Sequence, residues 1–230
     1  MNFNILTGRD NTLLTPLDDK RLIHPDTLSA LKKLKELALL EIGAQIEVIS
    51  SFRSFEDQQR IWNLKASGKR DLFDINEKKL DFNSLTKKEL LNAILQWSAI
   101  PGGSRHHWGT DIDIFDASKV KEEDVKLLNS ECTPDGVCGD LHSWLDEKIK
   151  DNNSFGFFRP YDTDRNNTGV GKEKWHISYS PISNDYLKSF TYELFLKNIQ
   201  ESTINLKELV LSDLELIYEN YVLNIDTPPF

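Results

Sequence analysis

The stretch TDIDIFD, Thr110 to Asp116, alternates carboxylates with isoleucines. Successive side chains of an extended strand point to opposite faces, so Ile112 and Ile114 share one face and Asp111 and Asp113 the other. A chain with such a strand has to press the aliphatic face on a core and give the acidic face polar company. Just upstream, PGGSRHHWG (Pro101 to Gly109) reads as a turn-forming loop that carries two histidines. His106 from that loop and Asp113 from the strand can therefore converge, either as metal ligands or as ordinary residues of a polar loop.

The segments around this strand are mainly helical. Apolar positions in TLSALKKLKELALLEIG recur at helical spacing, with Asp26 or Thr27 as cap and Gly43 as stop. QIEVIS, Gln45 to Ser50, alternates like a strand and runs into SFRSFEDQQRIW, where Ser54-x-x-Asp57 is a capping pattern. Arg53 thus sits at a strand-to-helix turn, and the second helix runs to about Gly68. A third opens at the capping box Thr86-x-x-Glu89 and continues toward Pro101. Segments 119–128, 140–150, 183–199 and 206–221 read as helices, and EKWHISYS as a strand. Few strands at irregular separations predict an α+β fold, a small antiparallel sheet flanked by helices, rather than a regular doubly wound one. The length of 230 residues suits one domain, 1–230, in which 206–230 is a closing helix and tail.

Charge narrows the partners. A formal net charge of −9 with no basic face opposes nucleic-acid binding, and no apolar run approaches the roughly 18 residues of a membrane span. The opening MNFNILTGRD lacks the basic and apolar regions of a signal peptide. Cys132 and Cys138 bracket the turn TPDGV, and a disulfide and two unrelated thiols are both open readings. A zinc site from these two and His142 does not have a usual structural spacing.

A catalytic zinc site typically takes three protein ligands and keeps a position for water. Of the five histidines, His176 in EKWHISYS is the candidate third ligand, and Glu173 precedes it by three residues. Residues three apart on a regular strand point to opposite faces, so Glu173 has to lie in the preceding loop or at a bulge, with Gly169 and Gly171 easing the bend. A carboxylate there is placed to take a proton from an attacking water. Each residue taken alone also has an ordinary structural reading.

Three motifs in order carry a resemblance: SFRSFEDQ fits Arg-Ser-x-x-x-Gln, SRHHWGTDID fits Ser-x-His-x-x-Gly-x-x-x-Asp, and EKWH fits Glu-x-x-His. They span Ser51 to His176 and are similar to zinc D-alanyl-D-alanine carboxypeptidases of the VanY type. Relatives of these in the same superfamily include VanX dipeptidases, lysostaphin and the hedgehog amino-terminal domain. The resemblance implies that fold, one zinc ion on His106, Asp113 and His176, and Glu173 as general base and then acid. It also implies Arg53 on the scissile carbonyl oxygen or the substrate carboxylate, and Gln58 and Ser104 as substrate contacts. The implied reaction removes a carboxy-terminal D-amino acid from peptidoglycan stem peptides, at the cell envelope or periplasm rather than in the cytoplasm. An endopeptidase acting inside peptide bridges and a non-catalytic zinc-binding recognition module are the rivals.

Asp111 departs from the pattern, in which alanine is usual. It is either an acceptor for a ligand histidine, an added charge near the metal, or an acid turned to solvent. His107 does not fit the ligand spacing and reads as a supporting or substrate-facing residue. FGFFRPYD, Phe155 to Asp162, either lines the cleft or packs in the core.

Overall fold

In the computed structural model, which describes residues 1–165 and 168–229, the elements follow in this order. Helix α1 (Phe3–Leu6) and the short strands β1 (Thr15–Pro16) and β2 (Leu22–Ile23) lead into α2 (Pro25–Ile42), β3 (Ile46–Ser50), α3 (Phe55–Ala66) and α4 (Lys87–Trp97). Then come β4 (Asp111–Asp116), α5 (Gly139–Lys150), β5 (Phe157–Phe158), β6 (His176–Tyr179), α6 (Ser180–Ser189), α7 (Tyr192–Glu201), α8 (Lys207–Ser212) and α9 (Leu214–Ile217). Strands β3-β4-β6-β5 form an antiparallel sheet in that order, the α+β arrangement the sequence predicts.

The alternation in β4 decides how the sheet is used. Ile112 and Ile114 join Ile46, Val48 and Ile177 against Leu31 and Leu34 of α2 and Leu141 and Leu145 of α5. Full burial of each such side chain contributes about 1.5–3 kcal/mol, which pins this face inward. A second cluster, with Trp62, Ile94, Trp108, Phe190 and Phe195 among its members, gathers α3, α4 and the carboxy-terminal helices. Every residue of β4 is buried, so the acidic face is covered as well, by polar groups and a cavity. Among the described residues no helix is long and apolar enough to cross a membrane.

Local chemistry shifts several boundaries. Helix α2 starts at Pro25, which suits a first helical position, and is capped by the ring of His24 rather than by Asp26 or Thr27. Gly43 ends it in the left-handed conformation, as expected. Segment 119–128 is not a helix: only Glu122–Asp124 makes a 3-10 turn. The carboxylate of Glu131 accepts from the backbone N–H groups of Lys126 and Leu128, and Leu127 takes a left-handed φ of 56°, which pulls the chain out of helical geometry. The expected helix 183–199 is two helices, because Thr191 caps a new one at Tyr192. Segment 206–221 likewise divides at Asp213 into α8 and α9, followed by a π-helical stretch, Tyr218–Leu223.

Candidate metal centre and active site

Sheet register brings the first two ligand candidates together. Asp113 of β4 pairs directly with His176 of β6 and, across a bulge in β3, with Ser50. Directly opposed residues of an antiparallel pair have their Cβ atoms about 4.5–5.5 Å apart. The third candidate, His106, lies in the 3-10 turn Arg105–Trp108, which ends at Gly109 with φ 66°. A Cβ at Gly109 would stand 2.9 Å from the backbone nitrogen of His24, so only glycine lets the loop pack there.

Hydrogen bonds set which nitrogen of each ring faces inward. Nδ1 of His106 lies 3.0 Å from the Ser51 carbonyl, to which it can only donate, leaving the Nε2 lone pair toward Asp113 Oδ2 at 3.5 Å. Nε2 of His176 lies 3.1 Å from Asp111 Oδ1, leaving Nδ1 toward Asp113 Oδ1 at 3.7 Å. One ligand atom from each of the three residues lies within 4.8 Å of the others. Two ligands at about 2.0–2.1 Å from a tetrahedral zinc stand roughly 3.3 Å apart, so small side-chain adjustments close this group on the ion. Asp113 Oδ1 is buried without a hydrogen-bond partner, a costly state that a cation relieves. The residues fit a zinc ion.

Electrostatics agree with that reading. Burial pushes the Asp113 carboxyl up to about 6, with Glu173 adding to the effect and His176 opposing it. Burial, with the positive charge of Arg53 and His176, holds His106 well below the usual imidazole range and so keeps it neutral. For His176 burial works against the charged ring, yet hydrogen bonds to Asp111 and Glu173 raise its pKa to about 10. Without a metal this ring is a cation between carboxylates; a cation on Nδ1 satisfies the same carboxylates.

Glu173 lies in the turn before β6, not on the strand, and its Oε2 is 2.9 Å from His176 Nδ1. Its backbone N–H donates to Tyr161, whose ring meets the His176 ring edge-on. The nearby glycines serve close packing, not a left-handed bend: a Cβ on Gly171 would stand 2.8 Å from the Trp97 ring. Arg53 joins Ser104, His106, Asp113, Glu173 and His176 on the wall of a cavity of about 530 Å³. Its guanidinium donates to Gln58 Oε1 at 2.9 Å and Ser50 Oγ at 3.0 Å. Its backbone is clamped as well, since its N–H donates to the His106 carbonyl and its carbonyl lies 2.6 Å from His107 Nδ1.

One expectation changes here, and two open readings are decided. Gln58 is fully buried and holds Arg53 while donating to the Ala99 carbonyl, so it reaches the cavity only through Arg53. His107 is a clamp, not a substrate-facing group: its Nε2 accepts from the Gly102 N–H, and burial lowers its pKa to about 3. Asp111 is not turned to solvent but is fully buried, accepting from Arg105, Thr110, His176 and Ser178. Of Phe155 to Asp162, Tyr161 lines the cavity whereas Phe157 packs in the core. Cys132 and Cys138 are buried free thiols, and His142 forms no metal group with them. Sequence reasoning missed Lys65, Arg70 and Lys126–Leu128, all on the cavity wall. The signal for Lys65 was its place on the buried stripe of α3.

The chain is similar to known proteins. An uncharacterized protein of Haemophilus influenzae is 32% identical over 124 residues, 54% of this chain and 92% of that protein. A D-alanyl-D-alanine carboxypeptidase of Enterococcus faecalis is 29% identical over 136 residues, 59% of this chain and 40% of that protein. A mutant of the vancomycin-resistance D,D-pentapeptidase VanY, solved in complex with Zn(II), superposes with a TM-score of 0.51 at 26% identity, covering 75% of this chain and 83% of that one. VanYB in complex with D-alanine-D-alanine shares the fold with a TM-score of 0.51 at 23% identity, covering 80% of this chain and 87% of that one. The family model for VanY, D-alanyl-D-alanine carboxypeptidase, matches residues 20–182. With that match over most of its length, and a zinc-bound structural relative, the chain belongs to the VanY family of D-alanyl-D-alanine carboxypeptidases, which are zinc-dependent peptidases.

Proposed function

We propose that this chain removes the carboxy-terminal D-amino acid from peptidoglycan stem peptides outside the cytoplasm, with one zinc ion held by His106, Asp113 and His176. The observation that carries this reading is the convergence of two imidazole nitrogens and the partnerless Asp113 oxygen beside Glu173, on one cavity wall. What a zinc ion supplies in such a site is polarisation of a carbonyl and acidification of a water molecule.

The chain's own residues supply the rest. Glu173 takes a proton from water as the oxygen–carbon bond forms, then delivers it to the amine nitrogen as the carbon–nitrogen bond breaks. Arg53, steadied by Gln58 and Ser50, donates to the carbonyl oxygen as negative charge develops there. Its planar fork is set before substrate arrives, so little reorganisation accompanies the reaction. Ser104, buried at the cavity wall, is a substrate contact.

The test is mass spectrometry of a muropeptide pentapeptide incubated with the zinc-loaded protein. Loss of one D-alanine supports the carboxypeptidase. An internal cut replaces it with an endopeptidase, and no cleavage with a zinc-binding recognition module.

A further inference from the structure

Helix α3 buries Phe55, Gln58, Trp62 and Lys65, the three-and-four spacing of a core-facing stripe. At the last of these positions an apolar side chain would be ordinary. Instead the chain carries a primary ammonium, and its residue is only 7% exposed. Nζ of Lys65 donates to Ser98 Oγ at 2.6 Å, and among the described residues no carboxylate lies within ion-pair distance. Burial, then the positive charge of Arg70, lowers its pKa to about 8, although Glu173 opposes this. A buried cation with one neutral partner is costly, and an anion from outside would remove that cost.

Its neighbours share the condition. Arg53 hydrogen-bonds only neutral groups, and Arg70, exposed at the rim, makes no ion pair among the described residues. All three cations line the same cavity as Glu173. Arg53 donates to Ser50, the residue paired with Asp113, and shares the wall with Asp113 and Glu173, which places its charge at the reacting carbonyl. Lys65 lies in the last turn of α3, whereas Arg53 precedes that helix. Ser98, the partner of Lys65, is next to Ala99, whose carbonyl takes the amide of the Gln58 that holds Arg53, so the ammonium stands farther along the same wall. A peptide's terminal carboxylate lies one residue, about 3.3–3.6 Å of chain, beyond the last carbonyl to be cut.

We propose that Lys65, with Arg70 beside it, forms an anion subsite that holds the free terminal carboxylate of the leaving residue, while Arg53 serves the scissile carbonyl oxygen. This assignment rests on the peptidase reading above and makes Lys65 a specificity residue. It requires a free carboxyl terminus and disfavours cuts inside a chain. Ser98 orients the ammonium, and the carboxylate supplies the counter-charge that the fold omits.

The experiment uses the zinc-loaded full chain and two pentapeptides that differ only in a carboxy-terminal carboxylate or carboxamide. Wild type is expected to favour the acid roughly 10- to 100-fold in kcat/KM, the worth of a hydrogen bond to a charged group. Lys65→Met should lose most of this ratio through a higher KM for the acid, and Lys65→Arg should regain part of it. Arg70→Ala, at an exposed position, should lower the ratio less and covers the case in which Lys65→Met does not fold. An unchanged acid-to-amide ratio in a folded Lys65→Met, or in Arg70→Ala if only that variant folds, overturns the subsite. So does equal cleavage of both peptides by wild type. Calorimetric binding of D-alanyl-D-alanine and its amide separates the two readings. If wild type cleaves neither peptide, the peptidase reading falls, while Lys65-dependent preference for the acid upholds the subsite and its absence overturns it.

Discussion

Nε2 of His176 lies 3.1 Å from Oδ1 of Asp111, two residues before the ligand candidate on the neighbouring strand. This contact decides which nitrogen of His176 faces Asp113 and Glu173. Asp111 is itself held by Arg105 at 2.7 Å, which overcomes the effect of burial and keeps its carboxyl well below the usual range. It is therefore a fixed anion that orients a ligand ring. Asp111→Asn should weaken zinc binding by roughly 10- to 100-fold, the usual effect of losing such a support. Chelator competition measures it, and unaltered affinity would make Asp111 a purely structural acid.

Changing His106, Asp113 or His176 to Ala should each remove most bound zinc, because a three-ligand group has no spare member. Elemental analysis of the purified variants reads this directly. Full zinc content in any one of them would remove that residue from the ligand set.

Glu173→Gln keeps the size of the side chain and deletes the base. Hydrolysis should drop by roughly 10² to 10⁴, the range for a lost general acid–base group, while zinc content and unfolding midpoint persist. Wild-type rates in this variant would leave Glu173 only as a neighbour of His176.

The fourth prediction concerns stability in acid. Burial, with Arg159 alongside, lowers the pKa of His142 to about 3, and its Nε2 is buried without a partner. The unfolded ring titrates near 6.5. Between those values the unfolded chain binds the extra proton, so this residue's contribution falls as the pH drops, by roughly 1.4 kcal/mol per unit. His142→Gln should flatten the pH dependence of urea unfolding between about pH 6 and pH 4 relative to wild type. Parallel curves for the two proteins would refute it.

The alternation of TDIDIFD, the capping patterns at Ser54 and Thr86 and the loop before Gly109 are local, so the helices, the strands and the α+β class could be read from sequence. The three motifs likewise named His106, Asp113, Glu173 and His176 before any geometry. Register lay beyond that reading: whether Asp113 faces His176 or a neighbour depends on pairing between segments some sixty residues apart, which periodicity does not encode. Competition for hydrogen bonds was equally out of reach. Glu131 unwinds 119–128 by capturing two backbone N–H groups, and Gln58 turns away from the cavity because Arg53 and Ala99 take its amide. Periodicity placed Lys65 on the inner face of α3, but only the folded cavity shows that no carboxylate among the described residues meets it there. A local pattern fixes which face a side chain takes, and the charge that face encounters is decided by the rest of the chain.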